Sequence, residues 1–157
     1  MGTTETKTTD AASATTKRVA TYELSSGLRV AVARLSRRVR AEKADDALSD
    51  GQFSVLALLF REGPHTLGQL SEHERVTPPS MNRRVNALVQ AGYVEREPSP
   101  TDGRKVLLRA TAQGAALVNE TRRRRDEWLY RRLARLPADQ RHVLHEASTI
   151  IRELADS

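Results

Sequence analysis

No cysteine occurs in the 157 residues, which rules out a disulfide framework and excludes thiol oxidation as a sensing chemistry. No apolar run reaches the roughly 20 residues a membrane-spanning helix needs, and no signal-peptide core follows Met1. The chain is therefore expected to stay in the cytosol without a membrane partner. The motifs of catalysis are missing as well. There is no nucleophile elbow, phosphate-cradling glycine loop or metalloprotease helix, which argues against an enzyme and implies no cofactor. What is present is an excess of positive charge: 26 Lys and Arg against 20 Asp and Glu, net +6, with a pI near 10.3. That balance suits a polyanionic partner. At 38% apolar and 29% charged, the composition is that of a globular chain long enough for one core and not two.

The most informative stretch is residues 77–111. Thr77 is a good N-cap, and Pro78 takes the first helical position, where a missing N–H costs no intrahelical bond. Met81, Val85, Leu88 and Val89 then recur at helical spacing, predicting a helix over 78–91 with one stripe to bury. Gly92 closes it at C′. Pro79, Ser80, Asn82, Arg83, Asn86 and Gln90 are left on the other side. They offer groups suited to base edges and phosphates, with no carboxylate to repel a polyanion. Any solvated amphipathic helix shows a polar outer face, so the helix alone does not decide.

After Gly92 the period changes to two, and residues 93–97 and 105–109 read as short strands. Pro98, Ser99, Pro100, Thr101, Asp102 and Gly103 make a turn-rich loop with Arg104 at its return. Asp102 is expected to pair with a nearby arginine and stiffen the loop. From Thr77 to Arg109 six basic residues face three acidic ones, a local +3. A helix shows its side chains to the major groove, while a hairpin tip carrying an arginine reaches the adjacent minor groove, so one segment would supply both contacts. Residues 66–72 and 78–91 form the helix-turn-helix pair, with the turn at 73–76.

These residues resemble the winged helix-turn-helix of MarR-type (multiple antibiotic resistance regulator) transcription factors. The family carries Pro-Ser-x-x-Arg in its recognition helix and Asp-x-Arg in its wing before a Leu-x-x-Thr strand exit. Pro79, Ser80, Arg83, Asp102, Arg104, Leu108 and Thr111 stand in those roles, and the resemblance covers roughly residues 22–155. It implies that Ser80, Asn82 and Arg83 meet the major groove and its phosphates, and that Arg104 enters the minor groove. Gly103 departs from the pattern, since many relatives have arginine or lysine there.

The remaining segments supply helices. Residues 1–18, rich in Thr and Ala without a sustained apolar period, read as a disordered tail. A helix over 22–42 puts Leu24, Leu28, Ala31, Leu35 and Val39 on one stripe. Ser49 and Gln52 have capping-box spacing ahead of Phe53, Leu56, Leu59 and Phe60, and Gly63 and Pro64 stop that helix. Thr66 and Gln69 repeat the spacing for a short third helix. A long helix over 112–136 has a thin stripe of Ala115, Val118, Trp128, Leu129, Leu133 and Leu136, broken by Arg122, Arg123, Arg124 and Arg125. At about 100° per residue four in a row sweep most of the circumference, so one or two must face protein or a crevice. Pro137 opens a last helix bearing Val143, Leu144, Ala147, Ile150, Ile151 and Leu154. His142 and His145, at i and i+3, have a spacing compatible with one metal. Without a cysteine or a carboxylate cluster they read better as solvated, and no metal site is assigned.

The expected fold is mainly α with a small β-hairpin wing. Its parts are a tail (1–18), an N-terminal dimerisation helix and linker (22–48), a winged helix-turn-helix (49–111), and a long helix with a C-terminal dimerisation helix (112–157). The resemblance implies pairing of the terminal helices between subunits, and the surplus of apolar stripe near both termini argues likewise for a homodimer. Its partner is double-stranded DNA carrying an imperfect palindrome, with half-sites centred about one helical turn, ~10 bp, apart. The candidate DNA contacts are Thr77, Pro79, Ser80, Asn82, Arg83, Arg84, Asn86, Asp102, Arg104 and Lys105. A repressor of this type is expected to be relieved by an effector in the crevice between head and dimer helices. An aromatic or amphipathic acid is the candidate, with Arg122 or Arg125 as carboxylate partner and Phe53 and Trp128 as apolar wall. The competing reading is that the arginine run is solvated or structurally paired. Two other functions stay open: an architectural protein with little sequence preference, and a winged-helix protein-interaction module. The second should show apolar anchors where Ser80, Asn82 and Arg83 stand.

Overall fold

The computed structural model describes residues 5–157, with side chains from residue 20 onward. The chain divides into two units, one ending at Ala41 and one running from Glu42 to Ser157. The first holds helix α1, Glu5–Arg40, which starts well before residue 22, where the apolar stripe predicts it. Of the expected tail, residues 1–18, positions 5–18 belong to α1, and residues 1–4 lie outside the described residues. Leu24, Val30, Val32 and Leu35 of α1 are exposed.

The second unit comprises α2 (Asp50–Glu62), β1 (His65–Thr66), α3 (Leu67–His73), α4 (Pro78–Gln90), β2 (Val94–Pro98), β3 (Val106–Ala110), α5 (Ala112–Leu133) and α6 (Ala138–Asp156). Both predicted capping boxes form. The Ser49 hydroxyl accepts the Gln52 N–H at 3.2 Å, and the Gln52 side chain accepts the Ser49 N–H at 2.7 Å. Thr66 and Gln69 repeat the exchange at 3.2 and 2.8 Å. Each box satisfies two donors that the first helical turn would otherwise leave without partners, and a single cap residue is worth about 1 kcal/mol.

Helix α2 is buried on more sides than its stripe predicts. Phe53, Leu56 and Leu59 are buried, but so are Val55 and Leu58, because α4, α5 and β3 all pack on it. Leu70 of α3, Met81, Val85 and Leu88 of α4, Val94, Leu108, and Val118 of α5 complete the core. Fully burying such a side chain contributes roughly 1.5–3 kcal/mol. The core thereby sets the positions of α4 and the hairpin together.

The hairpin belongs to a three-stranded sheet of order β1-β3-β2. β3 pairs antiparallel with β2 from Val94↔Ala110 to Pro98↔Val106, and its other edge takes His65↔Leu108 and Thr66↔Leu107. β1 is two residues long, too short to leave a period in the sequence, and it is absent from the expectations above. Both wing strands run one residue later than the alternation suggests, which buries Val94 and Leu108.

Helix α5 ends at Leu133 and not at 136. Ala134, Arg135 and Leu136 turn back by hydrogen bonds to Tyr130, Arg132 and Leu133, since the residue before a proline is disfavoured in the α region. Helix α6 has no buried residue. Val143, Leu144, Ile150 and Leu154 are exposed along it. Among the described residues no helix is long and apolar enough to cross a membrane.

Candidate nucleic-acid interface

The chain reaches α4 through a tight turn. Arg75 sits in the left-handed region at φ 52°; its N–H donates to the Glu72 carbonyl at 3.2 Å, and that of Val76 to Ser71 at 3.0 Å. These are the two reversed bonds of a Schellman ending, with arginine where glycine is usual. Thr77 has the extended backbone of an N-cap, but its hydroxyl accepts no cap hydrogen bond, contrary to the expected cap. Pro78 and Pro79 lack two of the donors at this helix end, so the cap has less to satisfy. At the far end Gly92, at φ 77°, donates to Val89 at 3.0 Å, and Tyr93 donates to Leu88 at 2.9 Å, a second Schellman ending. It sends the chain directly into β2.

Met81, Val85 and Leu88 anchor α4 in the core, leaving Thr77, Pro79, Asn82, Arg83 and Gln90 exposed and Ser80 half-buried. The Ser80 hydroxyl accepts a hydrogen bond from Arg83 Nη2 at 3.3 Å, which orients the guanidinium along the outer face. No acidic residue lies anywhere on α4.

Two of the candidate contacts turn to internal partners. Arg84 lies beside the buried stripe and reaches Glu74 at 3.4 Å, while its guanidinium lies across the α-carbon of Gly51, where a Cβ would approach it to 2.7 Å. Glu74 also accepts from the Ser54 hydroxyl at 2.7 Å. Arg84 therefore clamps α4 to α2 and to the end of α3. Asn86 is likewise committed, its side-chain oxygen accepting from Arg96 Nη2 at 2.6 Å, and this bond ties α4 to β2. Helical spacing alone does not separate Arg83, which faces out, from its neighbour Arg84.

In the wing, Asp102 does not pair with an arginine side chain. Its carboxylate accepts the backbone N–H of Arg104 at 3.1 Å and lies 3.8 Å from the Lys105 ammonium, while the Lys105 N–H donates to the Asp102 carbonyl at 2.9 Å. Asp102 thus shapes the loop through backbone, and the Arg104 side chain stays exposed with no partner among the described residues. Across the strands Arg109 makes a forked pair with Glu97, at 2.9 to 3.1 Å, neutralising a carboxylate below the tip. That pair raises the Arg109 pKa, chiefly through the hydrogen bonds to Glu97. Gly103 has open space around it and no positive φ, so its backbone does not require glycine.

The arginine run on α5 is occupied. Arg122 lies over the Phe60 ring at 5.3 Å and Arg125 over Phe53 at 4.6 Å. Arg123 and Arg124 pair with Glu120 at 2.8 and 2.9 Å. The structure therefore brings Arg125 and Phe53 together, as the acid-site reading requires, but with the ring itself as the cation's partner. Trp128 is stacked instead by Arg132, at 3.5 Å.

Sequence reasoning missed the segment joining α1 to α2. The Glu42 and Lys43 carbonyls accept from Arg125 and Arg124 at 3.3 and 2.8 Å. The Ala44 N–H donates to the buried Thr121 hydroxyl at 3.2 Å, and Tyr93 donates its hydroxyl to Asp45 at 2.8 Å. That last bond, helped by burial, raises the Tyr93 pKa. What reads as a linker is stitched to α5 and to the root of the wing by bonds between residues far apart in sequence, which no local pattern reveals. Of the histidines, His65 Nδ1 lies 3.0 Å from the Gly63 carbonyl and His142 lies 3.5 Å from Glu146. No cluster of three or more metal-ligating side chains occurs among the described residues.

A helix-turn-helix whose second helix keeps a carboxylate-free outer face, followed by a hairpin tipped with a cation, defines a winged helix-turn-helix protein. The MarR family model matches residues 48–106. An HTH-type transcriptional regulator of Mycobacterium leprae is 45% identical over 133 residues, 85% of this chain and 93% of that protein. A Bacillus subtilis protein named as an HTH-type transcriptional repressor is 30% identical over 79 residues, 49% of this chain and 47% of its own. The structure of a MarR family protein from Bacillus stearothermophilus superposes with a TM-score of 0.75 at 21% identity, covering 89% of this chain and 98% of that one. The chain belongs to the MarR family, and it is a DNA-binding transcriptional regulator.

Proposed function

We propose that the protein is a repressor that binds a pseudo-palindromic operator as a homodimer, in the cytoplasm where the DNA lies, and is released by a small aromatic or amphipathic acid. One observation supports this above others: the half-buried Ser80 hydroxyl, the exposed amide and guanidinium groups of α4 and the unpartnered Arg104 at the wing tip are held in one unit by a shared core. Ser80, Asn82 and Arg83 take base edges and phosphates in the major groove, with Thr77 and Pro79 at its edge, while Arg104 and Lys105 follow the minor groove. Arg84, Asn86 and Asp102 serve by positioning these groups. Apolar anchors, which a protein-interaction module needs, are absent from the outer face of α4.

Selection of bound duplexes from random fragments tests the reading. A recovered palindrome with half-sites about one turn apart supports it, and binding that unrelated duplex competes away on equal terms would favour the architectural role, since specific binding exceeds non-specific by roughly 10³ or more. Arg104→Ala and Arg83→Ala are expected to weaken operator binding by about 1–3 kcal/mol each with little change in melting. Arg84→Ala should do the reverse, lowering the melting temperature first. Release by acid would act through Arg122 or Arg125, which must leave the Phe60 or Phe53 ring to meet a carboxylate. Titration of salicylate-like acids against operator binding, with Arg125→Ala as control, reads this directly.

A further inference from the structure

Arg75 holds a backbone conformation that glycine would hold without strain. Its φ of 52° is the only positive value at a non-glycine among the described residues, where Gly63 and Gly92 occupy the other such positions. An L side chain there crowds the following carbonyl, a cost that glycine escapes. The turn makes no use of the side chain, because both of its reversed hydrogen bonds are backbone bonds. The guanidinium is exposed, and no hydrogen bond, ion pair or ring contact engages it among the described residues. The neighbouring carboxylate of Glu74 is already taken by Arg84 and the Ser54 hydroxyl. Several other arginines of this unit are held, Arg61, Arg109 and Arg123 by carboxylates and Arg122 and Arg125 by rings, while Arg104 at the wing tip shares with Arg75 the lack of a partner among the described residues.

A strained backbone position occupied by a cation with no intramolecular partner points to a partner outside the chain. Its place narrows the choice. Arg75 stands three residues before Pro78, at the entrance to α4 and beside exposed Thr77 and Pro79, on the approach by which the helix would enter a groove. Phosphates line that approach, and a guanidinium takes a phosphate through paired N–H donors.

We infer that Arg75 is a phosphate anchor. It grips the DNA backbone at the edge of the groove that α4 enters, without reading a base, and the left-handed turn is what aims it there. The inference rests on the DNA-facing reading of α4, and it predicts that stability and binding respond to different properties of this one side chain.

Melting temperature should follow the Cβ. Arg75→Gly relieves the crowding and is expected to melt about 2–4 °C higher, whereas Arg75→Lys and Arg75→Gln stay near the wild type. DNA binding should follow the charge. On a mixed-sequence duplex of about 30 base pairs, Arg75→Gly and Arg75→Gln are expected to bind roughly five- to tenfold more weakly at low salt. The slope of log K against log salt should fall by about one per subunit in both, and Arg75→Lys should keep most of it. Slopes equal to wild type in both neutral variants overturn the inference, as does a slope lost equally in Arg75→Lys. Arg83→Ala and Arg104→Ala run in parallel separate the two levels. If they weaken binding while the Arg75 variants do not, the anchor is wrong and the DNA face stands; if none of them matters, the DNA face itself is wrong.

Discussion

Gly114 shows how tightly the wing is seated. It is buried in the first turns of α5, where a Cβ would overlap the Tyr93 carbonyl oxygen and come within 2.9 Å of Leu56 Cδ1. Alanine normally gains about 1 kcal/mol over glycine inside a helix. Overpacking against a backbone carbonyl costs about 1–3 kcal/mol or more and cannot be relieved by a rotamer change. The second effect wins. Overlap with a backbone atom puts the cost toward the upper end, so Gly114→Ala is expected to lose about 1–2 kcal/mol net in urea unfolding; a variant as stable as wild type would show that α5 does not pack on the Tyr93 carbonyl. At this scale the sequence is least legible. Arg83 and Arg84 are chemically identical neighbours, and the direction each takes depends on Glu74 and Gly51, residues from other elements.

At the scale of elements, α5 carries its charges as a ladder along one side. Glu120 accepts from Arg123 and Arg124, and Glu127 pairs with Arg123 at 3.0 Å and with Arg131. Hydrogen bonds from Arg123 and Arg124 hold the Glu120 carboxyl down at about 2, against an ordinary value of 4.5. A carboxylate whose pKa is depressed on folding stabilises the fold above its unfolded pKa and loses that contribution as pH falls through the folded value. The window for Glu120 therefore lies between pH 4.5 and about 2. Glu120→Gln should flatten the acid limb of the stability curve in that window and change little at neutral pH. The effect is expected to be small and to shrink in high salt, because the group is exposed and screened. An acid limb unchanged by the substitution would show that the Glu120 ion pairs do not form in solution. Elements are also where the sequence is most legible. The Ser49–Gln52 and Thr66–Gln69 caps, the Gly92 stop and the apolar stripe of α4 are local, and all of them appear in the structure.

At the scale of the whole molecule, the core spans residues 48–118, and α6 contributes nothing buried to it. Val143, Ile150 and Leu154 recur at helical spacing on α6 yet remain 60%, 57% and 61% exposed. A stripe of that kind is stable in water once it is covered, and a second copy meeting it about a two-fold axis is the economical cover. For the homodimer proposed above, Ile150→Glu is expected to shift the equilibrium toward monomer in sedimentation equilibrium with helical circular dichroism largely kept, because the side chain supports no core within its own unit. Binding to a full palindrome should fall toward that of one half-site. A variant that remains a dimer would move the subunit contact away from α6.

Local chemistry was enough to write most of the helices, the Ser49 and Thr66 caps, the hairpin and the carboxylate-free face of α4, because periodicity, capping and turn formation act over a few residues. Long-range contact decided the rest. β1 exists because β3 offers it an edge, the arginines of α5 are spent on rings and carboxylates or on carbonyls of the α1–α2 segment, and Arg84 and Asn86 are engaged by partners that lie ten residues away along the chain. Side chains alike in sequence part ways wherever the nearest partner of opposite charge arrives through the fold.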